Sequence, residues 1–285
     1  MTLKQKKVFY IVVGLVSFLL TVLNFLTNSV DSQLVTDIVP KFFLFEFFET
    51  RNLYFIVHLL VIMPILLLSF EKKVNFISHY KYLLKGVLIV GVGFVIWDSL
   101  KTFFSVWAFN PDYIIGIFIG NLPLEEYIFF LTVPIACVFI YQCILSYNLF
   151  TRKRNDDLVI NSLIFILFFL GIFFWSLLYT STVCLITAAT LCFHYVYGDT
   201  DVRVKTYYTY LFSLIPFILI NGILTGGFTD APIISYNEGE FLNIRLISIP
   251  LEDAIYLLPL LLGNISFYEQ QKRKIEDNKD LNIQK

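Results

Sequence analysis

Long apolar segments separated by short polar stretches make up most of this chain. A bilayer core of roughly 30 Å requires about twenty mainly apolar residues in a spanning helix. Eight segments approach this length, and we predict that each is a transmembrane helix. The third and sixth are short, and a tight turn around Tyr179 to Ser181 separates the fifth from the sixth. The segments lie near residues 8–26, 52–70, 82–97, 122–146, 158–178, 180–197, 206–224 and 246–268.

Basic residues are unevenly distributed among the loops between these segments. Of the 21 Lys and Arg residues, 17 fall on one predicted side of the bilayer and 4 on the other. Since Lys and Arg are enriched in cytoplasmic loops, both termini are predicted to be cytoplasmic. The first segment could instead be a signal peptide, but its length and the lack of a small-residue cleavage site favour a retained helix. The expected fold class is an all-α, multi-pass protein of the cell membrane.

One acidic motif occurs twice, as Pro123-Leu124-Glu125-Glu126 and Pro250-Leu251-Glu252-Asp253, once in each half of the chain. The shift along the sequence that carries Pro123 onto Pro250 also superimposes the second, third and fourth segments on the sixth, seventh and eighth. The first helix does not follow this shift, because the loop over about 27–51 is long. We predict a 4+4 internal repeat, which is parallel because four spans separate equivalent helices. The expected organisation is a first repeat over 1–147 with an additional N-terminal helix, a basic cytoplasmic linker over 148–157, a second repeat over 158–270 and a charged cytoplasmic tail over 271–285.

Each motif places two adjacent carboxylates at the start of an apolar helix. Acidic side chains in hydrocarbon are rare and usually functional, although the first turn of a solvated helix also favours negative charge. In a parallel repeat both pairs lie at one depth and can form one site. Glu125 and Glu252, identical across the repeat, are the first catalytic candidates, followed by Glu126 and Asp253. Neighbours on a helix point about 100° apart, so one member of each pair could bind a loop N–H or a cation such as Arg245.

Further polar groups are predicted near the same end of the bundle. Asp98 ends the third segment, Asn221 ends the seventh, and His58 lies two turns inside the second, where a packed core histidine is the simpler interpretation. The apolar stretch over 103–120 is a poor helix. We predict a re-entrant or interfacial segment packed over the site, with an aromatic belt at the membrane surface as the alternative.

Cofactor motifs are missing from the sequence. There is no dinucleotide fingerprint and no phosphate-binding loop, and the 3 histidines lack zinc-site spacing. The 4 cysteines lie in apolar runs without C-x-x-C spacing and are interpreted as packing residues. A net charge of −1 offers no basic field for nucleic acid. We therefore expect chemistry carried by carboxylates, without a cofactor or metal.

Several stretches resemble the membrane-integral lycopene cyclase family. They are Trp97-Asp98, then VWAFNPDYIIG over 106–116 and GNLPLEEYIFF over 120–130. The second half, with IPLED over 249–253, resembles the second domain of a fused single chain. The resemblance covers roughly 53–270 and implies the fused two-domain form of the heterodimeric-type lycopene β-cyclase.

The resemblance implies an enzyme of carotenoid biosynthesis, an intramolecular lyase or isomerase without net redox change. Such an enzyme cyclises the ends of linear lycopene to β-ionone rings, giving β-carotene via γ-carotene. An acid protonates the terminal alkene, the neighbouring double bond attacks the cation, and a base removes a proton. Aromatic faces can stabilise the cation. The candidates for substrate binding and cation stabilisation are Trp97, Asp98, Trp107, Asn110, Phe118, Phe129, Phe130 and Tyr256.

The expected partners are lycopene drawn from the bilayer and membrane lipid. The resemblance also suggests other carotenoid-pathway enzymes as partners. Three alternatives stay open: a small membrane transporter, a carotenoid cyclase that makes another ring type or uses an elongated carotenoid, and a prenyltransferase. The missing aspartate motifs disfavour the prenyltransferase.

Overall fold

A computed structural model describes residues 3–29, 48–150, 157–198 and 200–283. These ranges form eight α-helices, and a short 3-10 helix, Phe76–His79, leads into the third. Five helices, α1, α3, α4, α6 and α7, are long and apolar enough to cross a membrane, while α2 and α5 are shorter apolar helices. The predicted all-α membrane class is confirmed. The helices are α1 (Leu3–Thr27), α2 (Leu53–Leu68), α3 (Tyr80–Phe103), α4 (Leu124–Ser146), α5 (Asp157–Phe173), α6 (Leu178–Tyr197), α7 (Thr200–Leu224) and α8 (Leu251–Ile283).

The helix boundaries differ from the prediction at three places. Helix α3 continues past Asp98 to Phe103, because Asp98 and Lys101 are buried inside the protein and do not face lipid. Helix α6 begins at Leu178, so Tyr179 lies in a helix and not in a turn. Helix α8 continues through much of the predicted charged tail, where Lys, Glu and Gln are good helix formers. The loop over 27–51 and the linker over 148–157 lie largely outside the described residues.

Within the described ranges, six short strands connect the helices at one end of the bundle. The hairpins β2–β3 and β5–β6 lead directly into α4 and α8, and β1 pairs with β4. The predicted non-helical segment over 103–120 is thus confirmed, and its buried Trp107 packs inside the protein and not in a surface belt. The strands are β1 (Trp107–Phe109), β2 (Phe118–Ile119), β3 (Leu122–Pro123), β4 (Ile234–Tyr236), β5 (Arg245–Leu246) and β6 (Ile249–Pro250).

The β1–β4 pair relates the two halves by an approximate two-fold axis. The strands are antiparallel, and the repeat shift carries β1 onto β4. Beside them, the N–H of Asn110 donates to the carbonyl of Ile233 at 2.8 Å, and the N–H of Asn237 donates to the carbonyl of Val106 at 2.9 Å. The same shift exchanges these two bonds. Reciprocal contacts of this kind are typical of two-fold symmetry.

A second reciprocal contact lies near the other end of α4 and α8. The hydroxyl of Tyr141 donates to Oε1 of Glu269 at 3.0 Å, and the hydroxyl of Tyr268 donates to Oε1 of Gln142 at 2.8 Å. The repeat shift exchanges this pair as well. The two halves therefore contact each other symmetrically at both ends of their final helices.

Helix α1 does not follow this symmetry. It packs mainly on α6, which α5 also contacts. Polar side chains of α1 explain why it packs there. Asn24 donates to the carbonyl of Trp175 at 3.0 Å and to Oγ of Ser181 at 2.8 Å. The hydroxyl of Tyr10 donates to Oδ1 of Asn161 at 2.5 Å. Of the predicted four-helix units, only the last three helices of each, α2 to α4 and α6 to α8, pack in equivalent ways. Helix α1 packs on the second half, and so it does not complete a four-helix unit with α2 to α4.

Candidate active site

Each acidic pair lies in the first turn of its helix, as predicted. Helix α4 begins directly after the motif proline at 123, and α8 begins after the equivalent proline at 250. The four carboxyl side chains of Glu125, Glu126, Glu252 and Asp253 are all buried. The alternative of a solvated helix end therefore does not fit, and the pairs require partners inside the protein.

The first member of each pair holds the loop that precedes its helix. Oε1 of Glu125 accepts a hydrogen bond from the N–H of Ile115 at 2.6 Å. Oε1 of Glu252 accepts one from the N–H of Leu242 at 2.9 Å and one from the hydroxyl of Thr180 at 2.6 Å. This is the loop contact that the sequence suggested for one member of each pair.

The second member of each pair faces a cavity of about 40 Å³, which is lined by residues of six helices and of the β1–β4 pair. About 10–15 Å³ of accessible space is enough to hold one water molecule, so the cavity has room for a few waters at most. Three carboxyl groups, Asp98, Glu126 and Asp253, lie in its wall. The lining is Tyr54, Asp98, Trp107, Glu126, Phe129, Tyr179, Phe217, Asn221, Ile234, Tyr236, Asp253 and Tyr256.

Two of these carboxyl groups form a pair. Asp98 and Glu126 lie together in the cavity wall and interact through their side chains. Two neighbouring carboxyl groups in a buried site do not readily ionise together, so one of them is expected to hold a proton. Tyrosine hydroxyls complete the pair: Tyr54 donates to Oε2 of Glu126 at 2.6 Å, and Tyr256 donates to Oδ1 of Asp98 at 2.8 Å. The pair is suited to hold and release a proton.

Asp253 has a different environment, since it accepts three hydrogen bonds. Tyr179 donates to Oδ1 at 2.5 Å, Asn221 donates to Oδ2 at 2.7 Å, and Tyr236 donates to Oδ2 at 2.8 Å. Burial, followed by the charge of Asp253, raises the pKa of Tyr236, which lies in β4, so Tyr236 remains a donor. All three contacts match an ionised carboxylate, which only accepts hydrogen bonds.

Tyr54 and Tyr179 are equivalent residues that the alignment of the two halves by sequence did not identify. Each is the second residue of its helix, and each donates its hydroxyl to the inner carboxyl of its own half, Glu126 or Asp253. The shift that aligns the two motifs carries Tyr54 onto Ser181, two positions beyond Tyr179. A single shift of the chain therefore places the two tyrosines out of register, and nothing else distinguishes them among the 17 tyrosines.

A buried ammonium group lies beside the carboxyl groups. Nζ of Lys101 is 4.0 Å from Oδ1 of Asp98, and the Lys101 side chain is 0% exposed. The sequence prediction assigns Lys101 to a loop, whereas the structure places it in the last turn of α3. Nζ lies over four aromatic rings, at 3.8 to 4.5 Å from their centroids: Trp97, Trp107, Tyr179 and Tyr256.

The aromatic and polar candidates from the sequence divide into two groups. Trp107, Phe129, Tyr256 and Asp98 line the cavity. Trp97 lies outside the lining but packs against Tyr256, with ring centroids 5.0 Å apart.

The other candidates lie away from the cavity. Phe130 is buried behind Phe129. Phe118 is exposed on the β2–β3 hairpin, because its short strand turns it outward. Asn110 is a turn residue, since its Oδ1 accepts the N–H of Asp112 at 3.0 Å. His58 bonds to Thr132 and does not line the cavity.

Two further observations concern ligands. Within the described ranges, no group of three or more His, Cys, Asp or Glu side chains is arranged to hold a metal ion. A larger cavity of about 650 Å³ lies at the opposite ends of α6 and α8, near His194 and Arg273. None of the motif carboxyl groups lines that cavity.

Comparison with known proteins gives one match. A family model described as lycopene cyclase matches residues 51–144 and 176–270, one stretch in each half of the chain. No curated protein and no solved structure matches significantly. The matched stretches correspond to the two equivalent units, α2 to α4 and α6 to α8, and leave out α1 and α5.

Proposed function

Because the chain belongs to the lycopene cyclase family, with one matched region in each half, we propose that it cyclises the ends of lycopene to β-ionone rings. The product is β-carotene, formed via γ-carotene, and the enzyme class is an intramolecular lyase or isomerase. The observation that carries this proposal is the placement of three carboxyl groups around one small cavity: Asp98 and Glu126 together, and Asp253 with its own hydrogen-bond donors.

The Asp98–Glu126 pair is the proposed acid, and Asp253 is the proposed base. The pair donates its proton to the terminal alkene, which becomes a tertiary carbocation. The neighbouring double bond attacks this cation, so that the ring carbon–carbon bond forms and the positive charge moves to a second tertiary carbon. Asp253 then removes a proton from the adjacent ring carbon, which leaves the ring double bond. One proton enters and one leaves, so the product is an isomer of the substrate and no redox cofactor is needed.

The aromatic lining supports the cationic intermediate in this proposal. Trp107, Phe129 and Tyr256 line the same cavity as the acid and the base, and aromatic faces attract cations without reacting as bases. The small volume of the cavity also leaves little room for water that could capture the cation. An apolar cavity of about 150 Å³ is needed to hold a benzene molecule, so the walls must move apart when a carotenoid end enters.

The test is expression in a bacterial host that accumulates lycopene, with chromatography of the extracted pigments. We expect conversion to β-carotene and a change of colour from red to yellow-orange. An Asp253→Asn variant at equal membrane levels is the control. Unchanged lycopene with the wild-type protein would contradict the proposal, and a cyclic product with a different ring double bond would support the alternative ring type.

A further inference from the structure

Lys101 is a buried basic group that the acid and base steps leave unused. Its Nζ has no hydrogen-bond acceptor within the described part of the chain. The nearest carboxyl oxygen, Oδ1 of Asp98, is 4.0 Å away, which is longer than a charge-assisted hydrogen bond. A lysine that is fully buried without such a partner is rare, so this position calls for a physical reason.

Four aromatic rings hold the ammonium in place. Their centroids lie 3.8 to 4.5 Å from Nζ, and three of the four rings also line the catalytic cavity. Electron-rich ring faces stabilise a desolvated cation. The rings therefore keep a positive charge next to the cavity without binding it to any single carboxylate.

The charges of the site explain what this cation does. In the proposed mechanism the Asp98–Glu126 pair holds one proton and Asp253 holds none, which places two negative charges in this largely aromatic cavity. The two tyrosines whose rings contact Nζ also donate hydrogen bonds to carboxyl groups: Tyr179 donates to Asp253 and Tyr256 donates to Asp98. Nζ of Lys101 is 4.0 Å from Oδ1 of Asp98 and also interacts electrostatically with Asp253, so it can compensate one of the two negative charges.

We propose that Lys101 is a positioning residue whose charge keeps Asp253 ionised, so that it can act as the base, while the Asp98–Glu126 pair retains its proton. This role rests on the proposed cyclase function. It differs from a packing role, since a side chain of similar length without charge would fill the same space. A nearby positive charge favours the ionised form of a carboxyl group, and its loss would favour a protonated, inactive base.

The experiment compares initial cyclisation rates in membranes supplied with lycopene, in buffers between about pH 6 and 10. The variants are Lys101→Met, Lys101→Arg and, as a matched control on the exposed face of the same helix, Lys85→Met. Membrane levels are measured for each by immunoblot. We expect Lys101→Met to lose about tenfold or more in rate at pH 7 and to recover toward alkaline pH, where a base without its counter-charge still ionises.

Lys101→Arg keeps the charge and should keep the pH profile of the wild type, even if its rate falls because the guanidinium is larger. Lys85→Met should match the wild type throughout. A Lys101→Met rate equal to the wild type, or reduced equally at every pH, contradicts the role of Lys101 and leaves the cyclase proposal intact. A wild-type protein that forms no cyclic product contradicts the cyclase proposal itself.

Discussion

Adjacent carboxyl residues in the two motifs have different positions and, we propose, different tasks. Glu125 and Glu252 bind backbone N–H groups of the preceding loops, whereas Glu126 and Asp253 reach the cavity. The separation of about 100° between neighbours on a helix accounts for this division. Identity across the repeat ranks Glu125 and Glu252 as the first catalytic candidates. Contact with the cavity instead favours Glu126 and Asp253.

The inner carboxyl groups should be essential for cyclisation. We expect Glu126→Gln and Asp253→Asn to lower the rate by a factor of about 10² to 10⁴, because general acid or base catalysis contributes about that much. Both substitutions keep the shape of the side chain, so membrane levels should stay near those of the wild type. Pigment analysis measures the loss, and normal β-carotene from either variant would remove that carboxyl from the mechanism.

The carboxyl groups of Glu125 and Glu252, which bind the preceding loops, should tolerate replacement by an amide. Glutamine at position 125 retains a side-chain oxygen that can accept the N–H of Ile115, so Glu125→Gln should keep activity within about tenfold of the wild type, well above the loss expected for an inner carboxyl. Glu125→Ala removes the acceptor and should lower the amount of folded protein. An inactive but well-folded Glu125→Gln protein would show that Glu125 itself takes part in the chemistry.

At the scale of elements, the two hairpins set the start of α4 and α8 and thereby the direction of the carboxyl groups. Both hairpins use left-handed backbone at equivalent positions. The first has Gly120 with φ +65°, and the second has Ile247 with φ +63°. A β-branched residue at positive φ is strained, so the second hairpin is held by its neighbours at some loss of stability.

This strain can be measured by exchanging residues at the two positions. Gly120→Val places a valine in the left-handed backbone conformation and should destabilise the protein by about 1–2 kcal/mol. This cost comes from the backbone alone, since nothing lies within 4 Å of the new Cβ. Ile247→Gly should be neutral or stabilising. Gly93→Ala is the control, since its Cβ also has open space and its backbone is helical. Melting temperatures in detergent would reveal the order, and equal effects at 120 and 93 would contradict the role of φ.

At the scale of the whole molecule, one site is assembled from both halves. The first half supplies Asp98 and Glu126, and the second supplies Asp253, Tyr179 and Tyr256. Contacts of α3 with α8, of α4 with α7 and of β1 with β4 join the halves around this cavity. Neither half contains both the proposed acid and the proposed base.

A chain divided between the halves should therefore be active only when both parts are present. We expect residues 1–150 and 151–285, expressed as separate chains, to be inactive alone and to restore part of the cyclisation when produced together. The buried contacts between the halves, and not the linker, hold the site together. Activity from either half alone would contradict a shared site.

A single site also predicts the order of products. Each visit to the cavity cyclises one end of the polyene, so a monocyclic intermediate should accumulate transiently before β-carotene. Time courses at low enzyme levels would detect it by chromatography. If bicyclic product forms without any monocyclic species, two ends must react without release, and the single-site proposal fails.

Segment lengths, hydropathy and the repeated motif were sufficient to predict the all-α membrane class, the internal repeat and the helix-start position of the acids. These properties depend on local composition and on positions close together in the chain. The predicted cytoplasmic location of both termini stays a prediction of the charge pattern.

The choice between Glu125 and Glu126, the pairing of Asp98 with Glu126 and the aromatic cage of Lys101 follow only from tertiary packing. They join residues far apart in the chain, such as Tyr256 and Asp98, which are 158 positions apart. No local pattern records such contacts, because the direction of a side chain depends on how helices from both halves rotate and pack against each other.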